Sequence, residues 1–180
     1  MTDRELQQLA RDVDARCRLH GEFLLRSGTV AGEYFDKYLF ESDPALLRRV
    51  VERMVALVPA NTDMLGGLEL GGIPIVTMLS SATGLPALYI RKHAKDYGTR
   101  RLAEGGEAQG KTILLVEDVI TTGGAVLAAA LALRHLGARV IAVACAIDRS
   151  IPAGNQLPPH DIAIRSVLTK SLLDSVTSTG

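Results

Sequence analysis

The sequence predicts an α/β fold in which helices flank a central, mostly parallel sheet. From about residue 64 onwards, segments typical of strands and helices alternate, which is the order that builds parallel sheets. Two predicted strands, Ile113-Leu114-Leu115-Val116 and Val140-Ile141-Ala142-Val143-Ala144, are continuous apolar runs, as expected where helices cover both faces of a sheet. With 180 residues, the chain has the length of one domain. Sheets of this class bind ligands at the carboxyl ends of their strands.

Helical spacing and end signals predict the helices. Apolar residues from Leu6 to Cys17 recur at helical spacing, and Ser42 with Pro44 is typical of a helix start. Gly137 is typical of a residue that follows the end of a helix. The predicted helices cover residues 3–18, 42–58, 73–82, 123–136 and 171–176.

Clusters of aromatic and aliphatic residues predict the strands. The first two flank the turn at Ser27-Gly28 and would form a small hairpin before the sheet. The predicted strands cover residues 23–26, 33–40, 64–67, 87–91, 111–116 and 139–147, with one more within 156–168.

Composition limits the class of protein. Twenty Lys and Arg residues balance twenty Asp and Glu residues, which argues against a general nucleic-acid binder. No apolar run approaches the roughly 20 residues of a membrane helix, and the polar start lacks a signal core, so we expect a cytoplasmic protein that does not bind membranes. Cys17 and Cys145 are far apart in sequence and predict two buried side chains rather than a metal or redox motif.

The most specific motif covers residues 113–125. Glu117 and Asp118 follow the apolar strand, and Thr121-Thr122-Gly123-Gly124 leads into a predicted helix. Glycines allow close approach of the backbone, and the positive end of a helix dipole favours a phosphate. Two adjacent carboxylates can accept hydrogen bonds from the hydroxyls of a ribose. The motif therefore predicts a site for a sugar phosphate.

A second glycine-rich segment fits the pattern of an ATP-binding P-loop. Residues 105–112, Gly-Gly-Glu-Ala-Gln-Gly-Lys-Thr, match that pattern letter by letter. A P-loop must follow a strand and open a helix, whereas Thr112 is followed directly by the predicted strand at 113–116. The context excludes a P-loop.

Residues 92–110 form an unusually long predicted connection with many charges and four glycines. Together with Arg91, its first part, as far as Arg101, carries five Lys or Arg residues and one Asp. Such a run is commonly a solvated surface loop, but beside a phosphate site it could stabilise the charge of a leaving group. We expect a flexible catalytic loop that closes over the site.

The motif at 113–125 resembles the phosphoribosyl pyrophosphate (PRPP) signature of type I phosphoribosyltransferases. The resemblance implies their fold, with a small N-terminal hood. It also implies that the acidic pair binds the ribose hydroxyls, with Asp118 as a catalytic residue, and that the following loop binds the 5-phosphate. The residues to which it assigns PRPP here are Glu117, Asp118, Val119, Ile120, Thr121, Thr122, Gly123, Gly124 and Ala125.

Within that family, the basic loop most resembles orotate phosphoribosyltransferases. The matching residues are Arg91, Lys92, Lys95, Asp96, Tyr97, Gly98, Glu104 and Gly105. The resemblance implies that Lys95 is the central catalytic cation and that Arg91, Lys92 and Tyr97 also bind PRPP. It further implies a homodimer in which the loop from Arg91 to Arg101 reaches the partner's site.

Two further regions resemble the parts of orotate phosphoribosyltransferases that bind the base. Residues 21–28 and 34–36 resemble the hood of orotate phosphoribosyltransferases, and Ile147-Asp148-Arg149 resembles their base site. This implies that Arg26, Thr121 and Arg149 bind orotate. A single domain is expected, with the hood at about 1–40 plus the C-terminal segment, and the core at about 41–150. Gly71 stands where the family's pyrophosphate loop often has a Lys, so one positive charge is absent there.

The resemblance implies transfer of the phosphoribosyl group from PRPP to orotate, giving orotidine 5′-monophosphate and diphosphate in UMP biosynthesis. Magnesium is the implied cofactor, and because the sequence has no His or Cys cluster, we expect Mg²⁺ to be held mainly by the substrates. Two alternatives stay open. A purine phosphoribosyltransferase would keep residues 113–125, and a non-catalytic regulator could use the fold to sense PRPP.

Overall fold

The computed structural model describes residues 3–25, 28–92 and 102–177. Helices in these ranges are α1 (Asp3–Cys17), α2 (Tyr38–Glu41), α3 (Pro44–Val55), α4 (Gly72–Thr83), α5 (Gly124–His135) and α6 (Lys170–Thr177). The strands are β1 (Arg18–Leu24), β2 (Val30–Phe35), β3 (Met64–Leu68), β4 (Ala87–Ile90), β5 (Ala103–Glu104), β6 (Thr112–Ile120), β7 (Arg139–Asp148) and β8 (Ala163–Thr169). Short 3₁₀ turns at Pro152–Gly154 and Pro158–His160 lie between β7 and β8.

The predicted α/β fold is confirmed. Six strands form one sheet in the order β5-β4-β3-β6-β7-β8, and all its pairs are parallel except that of β4 with β5. The chain leaves β3 towards β4 on one side, and β6 then pairs with the other side of β3. The strand order therefore reverses between β3 and β6, and open α/β sheets bind ligands at the carboxyl ends of such neighbouring strands.

Helices cover both faces of the sheet because β6 alternates apolar side chains between two cores. Leu114 and Val116 pack in the core built with α1, α3, α4 and α6. Ile113 and Leu115 pack in the core built with α5. All four side chains are buried, which explains why this strand is a continuous apolar run in the sequence.

The first two strands form a separate antiparallel hairpin, β1 with β2, that follows α1 directly. Arg18 fixes the joint between helix and hairpin, since its guanidinium lies 2.8 Å from carboxylate oxygens of both Asp14 and Glu33. This hairpin corresponds to the predicted hood.

Three predictions near the hairpin are wrong. The strand predicted at 23–26 lies instead at Arg18–Leu24, where it follows α1 directly. The strand predicted at 33–40 ends at Phe35, because the Asp36 side chain accepts a hydrogen bond from the Tyr38 N–H at 3.1 Å and turns the chain into α2. Ser42 does not cap α3. The cap is Asp43, whose carboxylate accepts hydrogen bonds from the N–H groups of Ala45 and Leu46.

Three other boundaries differ from the predictions. The strand predicted to end at Val116 continues to Ile120, because β7 pairs with it as far as Asp148. The last strand begins only at Ala163, after the two 3₁₀ turns. Within the predicted loop at 92–110, Ala103–Glu104 forms an edge strand on β4. Thr112 begins a strand rather than a helix, as expected from the exclusion of a P-loop.

Candidate functional site

The acidic pair lies inside β6, near its carboxyl end and between β3 and β7. Side chains alternate along a strand, so Glu117 and Asp118 point to opposite faces of the sheet. Glu117 lines a cavity on the α5 side, whereas Asp118 is completely buried on the other side. Of the two carboxylates that the sequence predicts for the hydroxyls of a ribose, only Glu117 therefore lines the cavity of the loop that follows β6.

The phosphate loop, residues 121–124, connects β6 to α5. It surrounds a cavity of about 140 Å³, whose lining residues are Glu117, Val119, Ile120, Thr121, Thr122, Gly123, Gly124, Ala125 and Val126. Gly123 has a φ of +75°, a conformation that favours glycine, and directly precedes the first turn of α5. The free N–H groups and the dipole of that first turn favour an anion in this cavity.

The segment at 155–157 supports the phosphate loop from the C-terminal side. The Gln156 N–H donates to the Thr122 carbonyl at 3.0 Å. Leu157 is fully buried against Gly123, where an added Cβ would come within 2.6 Å of the leucine Cγ. This contact could not be predicted from the sequence, because no pattern of residue spacing links the two segments.

The β3–α4 loop, residues 69–72, faces the acidic pair from the neighbouring strand. An added Cβ at Gly71 would lie 1.6 Å from Asp118 Oδ2, and one at Gly72 would lie 2.5 Å from the Val116 carbonyl oxygen. Neither position has room for a side chain. The missing lysine at Gly71 therefore has a structural reason, since the Asp118 carboxylate occupies the space that its side chain would need.

Two charged residues at this site escaped the sequence analysis. Lys37, at the start of α2, places its Nζ 2.5 Å from Asp118 Oδ2. Glu41, at the end of α2, is 8% exposed, and its Oε1 lies 2.9 Å from the position of an added Gly71 Cβ. Lys37 lies in a segment predicted as a strand and Glu41 directly follows it, and the charge of neither residue indicates a contact with residues 71 and 118.

Burial changes the protonation of this cluster. Burial, followed by the charge of Asp118, raises the pKa of Glu41 to about 9 and that of Glu117 to about 8. Burial lowers the pKa of Lys37, but its hydrogen bond and charge interaction with Asp118 outweigh that effect and raise it. At neutral pH, both glutamates are therefore mainly protonated, and Lys37 is charged.

Glu117 keeps one oxygen available. Its Oε2 is buried and has no hydrogen-bond partner within the described ranges. An unpaired buried oxygen is costly, so it favours a ligand that donates a hydrogen bond. Asp118 differs, since its Oδ1 accepts from the Val119 N–H at 2.5 Å and its Oδ2 pairs with Lys37.

The end of β7 brings Arg149 to the hairpin and to β6. The Arg149 N–H donates to the Ile120 carbonyl at 2.8 Å, and its guanidinium carbon lies 5.2 Å from the centre of the Phe35 ring. The structure thus places Arg149 beside the hood and the carboxyl end of β6. The other predicted base contacts are Thr121, which is exposed in the phosphate loop, and Arg26, which lies outside the described residues.

Arg91 and Lys92 lie at the end of β4. Arg91 Nε is 3.7 Å from a Glu104 carboxylate oxygen, and the Lys92 N–H donates to Glu69 at 2.5 Å. Both line a cavity of about 470 Å³ beside the alanine-rich face of α5. Lys95 and Tyr97, the other predicted PRPP contacts of this loop, lie outside the described residues.

Neither a metal cluster nor a membrane helix is found in the part of the chain that the structure describes. No group of three His, Cys, Asp or Glu residues there could hold a metal ion. No helix there is long and apolar enough to cross a membrane. Cys17 and Cys145 are both buried, and burial raises the pKa of the Cys17 thiol to about 12.

Comparisons with known proteins converge on one family. The profile of the phosphoribosyl transferase domain matches residues 44–163. An orotate phosphoribosyltransferase of Nocardioides sp. is 59% identical over 172 residues, which cover 96% of either chain. The crystal structure of Mycobacterium tuberculosis orotate phosphoribosyltransferase with Fe(III) dicitrate is 30% identical, with a TM-score of 0.81 over 94% of this chain and 98% of that one. A structure of the same enzyme with PRPP is 29% identical, with a TM-score of 0.73 over 94% of this chain and 99% of that one.

Proposed function

The chain belongs to the phosphoribosyltransferase family, as one of its orotate phosphoribosyltransferases, and we propose that it transfers the phosphoribosyl group from PRPP to N1 of orotate. The products are orotidine 5′-monophosphate and diphosphate. The observation that carries the proposal is the cavity between Glu117 and the first turn of α5. It combines an anion site with a carboxyl group, the two features that a ribose phosphate needs.

The 5-phosphate binds in this cavity. Backbone N–H groups of the phosphate loop and the hydroxyls of Thr121 and Thr122 donate to its oxygens, and the dipole of α5 adds to the attraction. The open Oε2 of Glu117 accepts a hydrogen bond from a ribose hydroxyl.

The pyrophosphate group extends towards the β3–α4 loop and the end of β4. Backbone amides at residues 71–72 and the side chains of Arg91 and Lys92 provide donors there. We assign Lys95 the stabilisation of negative charge that develops on the pyrophosphate as its bond to C1 of the ribose breaks. No covalent nucleophile is required, because alignment of N1 of orotate with C1 and charge stabilisation account for the transfer.

The base occupies the space between the hood and the end of β7. Arg149 can pair with the carboxylate of orotate through two hydrogen bonds, and its stacking against Phe35 holds the guanidinium beside the phosphate loop. Arg26 and Thr121 complete the proposed contacts with orotate. A purine lacks the carboxylate that this arginine would bind, so the arrangement favours orotate over the purine alternative.

Magnesium enters as part of the substrate complex in this proposal. The oxygens of PRPP would carry the ion, since Mg²⁺ is commonly bound through substrate phosphates and keeps several waters. The bound ion would neutralise part of the pyrophosphate charge. We further propose a cytoplasmic homodimer in which the loop from Arg91 to Arg101 reaches the partner's site.

A comparison of bases tests the function. Purified protein is mixed with PRPP and Mg²⁺, and orotate, adenine or guanine is followed by its absorbance. We expect turnover of orotate alone. Turnover of a purine without turnover of orotate would support the purine alternative, and binding of PRPP with no turnover of any base would support the regulator.

A further inference from the structure

The β3–α4 loop has no side-chain cation of its own within residues 69–72, although it would bind a pyrophosphate. Gly71 cannot carry one, because its Cβ position lies 1.6 Å from Asp118 Oδ2. The same oxygen lies 2.5 Å from the ammonium nitrogen of Lys37. The ammonium of Lys37 therefore lies beside the point where a side chain of residue 71 would begin.

We propose that Lys37 supplies this missing cation and binds the pyrophosphate of PRPP, while Asp118 and Glu41 hold its ammonium in place. The inference rests on the proposed function, since it names a further contact in the same site. Lys37 comes from the segment that joins the hood to α3, so the contact would also connect the base side of the site with its pyrophosphate side.

The geometry leaves the ammonium free to bind a second anion. About a third of the Lys37 side chain is exposed, whereas Asp118 is completely buried beneath it. An ammonium has three donors, and Asp118 Oδ2 uses one of them. The two remaining donors are available to a second anion.

The charges of Lys37, Glu41 and Asp118 also favour the binding of a pyrophosphate by Lys37. Two carboxyl groups, those of Glu41 and Asp118, lie with the Lys37 ammonium at the Cβ position of Gly71, and if both were ionised their combined charge would exceed that of Lys37 and repel a pyrophosphate. Glu41 and Asp118 both approach the Cβ position of Gly71 within 3 Å in a buried place, and two like charges this close do not both ionise. A protonated Glu41 leaves a one-to-one pair of Lys37 and Asp118, and its proton can be donated to the Asp118 carboxylate.

Lys37→Gln is the variant that separates charge from position. A glutamine amide can still donate a hydrogen bond to Asp118, so the fold is expected to persist, but the positive charge is lost. Lys37→Arg keeps the charge and serves as the conservative rescue. Lys111→Gln is the matched control, since Lys111 is an exposed lysine just before β6.

Calorimetric titrations with pyrophosphate, PRPP and ribose 5-phosphate, each with Mg²⁺, provide the test. We expect Lys37→Gln to weaken pyrophosphate and PRPP by about 10-fold or more, the effect of losing a hydrogen bond to a charged group. Ribose 5-phosphate should change by less than about twofold, since the phosphate loop does not include Lys37. Lys37→Arg should restore most of the pyrophosphate affinity, and Lys111→Gln should match the unmodified protein.

Two results would overturn the inference. One is an unchanged affinity of Lys37→Gln for pyrophosphate. The other is an equal loss of affinity for ribose 5-phosphate, which would give Lys37 a purely structural role through Asp118. If the unmodified protein bound neither PRPP nor pyrophosphate, the proposed function would fail as well, so the two failures are distinguishable.

Discussion

The Asp118 carboxylate lies so close to Gly71 that a methyl group on residue 71 would overlap with it. We expect Gly71→Ala to push the Asp118 carboxylate away from Lys37 and to raise the KM for PRPP by about 10-fold or more, because a buried charged contact is lost. Steady-state kinetics with PRPP varied at saturating orotate measure the effect. Gly32→Ala is the control, since an added Cβ at Gly32 meets nothing within 4 Å. Equal KM values for the two variants would contradict the proposed packing.

The protonated glutamates predict how stability depends on pH. The pKa of Glu41 is about 9 in the folded protein against an ordinary value of 4.5, and that of Glu117 is about 8. At pH values between the ordinary pKa and the raised pKa of each glutamate, the folded state binds more protons than the unfolded state. The free energy of unfolding therefore falls as pH rises from about 5 to 9. The raised pKa of Lys37 affects the free energy of unfolding only at pH values above this range.

Glu41→Gln isolates the contribution of Glu41 to that pH dependence. A neutral amide cannot ionise, so the Tm of this variant should fall less steeply between pH 6 and pH 9 than the Tm of the unmodified protein. Differential scanning calorimetry at several pH values gives the slopes. Glu52→Gln, on the exposed side of α3, should keep the original slope. Parallel curves for Glu41→Gln and the unmodified protein would show that Glu41 is ionised at neutral pH.

At the residue scale, the sequence predicted the parts of the site that are contiguous along the chain. Glu117 and the phosphate loop were found because strand, carboxylates, glycines and helix follow one another in residues 113–125. Lys37 and Glu41 were missed because their relation to Asp118 exists only after α2 packs against the sheet. No local spacing encodes a contact between residues about 80 positions apart.

At the scale of elements, the segment at 155–157 and the phosphate loop form one packed unit. Leu157→Ala would leave a cavity beneath Gly123, and we expect it to destabilise the protein by about 2–4 kcal/mol. The loosened loop should also raise the KM for PRPP. Leu133→Ala is the matched control, because Leu133 is equally buried in the same core but lies near the end of α5 that is distant from the phosphate loop. It should cost similar stability without changing that KM. Similar KM values for both variants would show that Leu157 does not support the phosphate loop.

The sequence predicted the central elements better than those around the hood. Continuous apolar runs predict β6 and β7, because short runs of this kind are typical of strands that are covered by helices on both faces. The extension of β6 through its acidic pair was missed, because the pairing of that end with β7 overrides the weak strand preference of Asp and Glu. The turn of the hairpin lies where it was predicted, but the ends of its strands differ, because short segments with scattered aromatic residues do not define where a strand begins and ends.

At the scale of the whole molecule, the proposed dimer predicts complementation between two inactive variants. Lys95→Ala removes the loop cation, and Asp118→Asn removes the buried carboxylate that pairs with Lys37 in the site of its own chain. If the loop enters the partner's site, randomly mixed dimers contain intact sites amounting to about a quarter of the total. Mixing after partial denaturation and refolding, followed by the orotate assay, should therefore recover about a quarter of the original activity. No recovery from a mixture that contains dimers would show that each chain uses its own loop.

Formation of orotidine 5′-monophosphate from PRPP and orotate can be followed by phosphorus NMR of a single reaction with Mg²⁺, because substrate, nucleotide and diphosphate have separate signals. We expect PRPP to disappear only when orotate is present, with orotidine 5′-monophosphate and diphosphate appearing in equal amounts. Unchanged PRPP, or its loss without formation of the nucleotide, would contradict the proposed function.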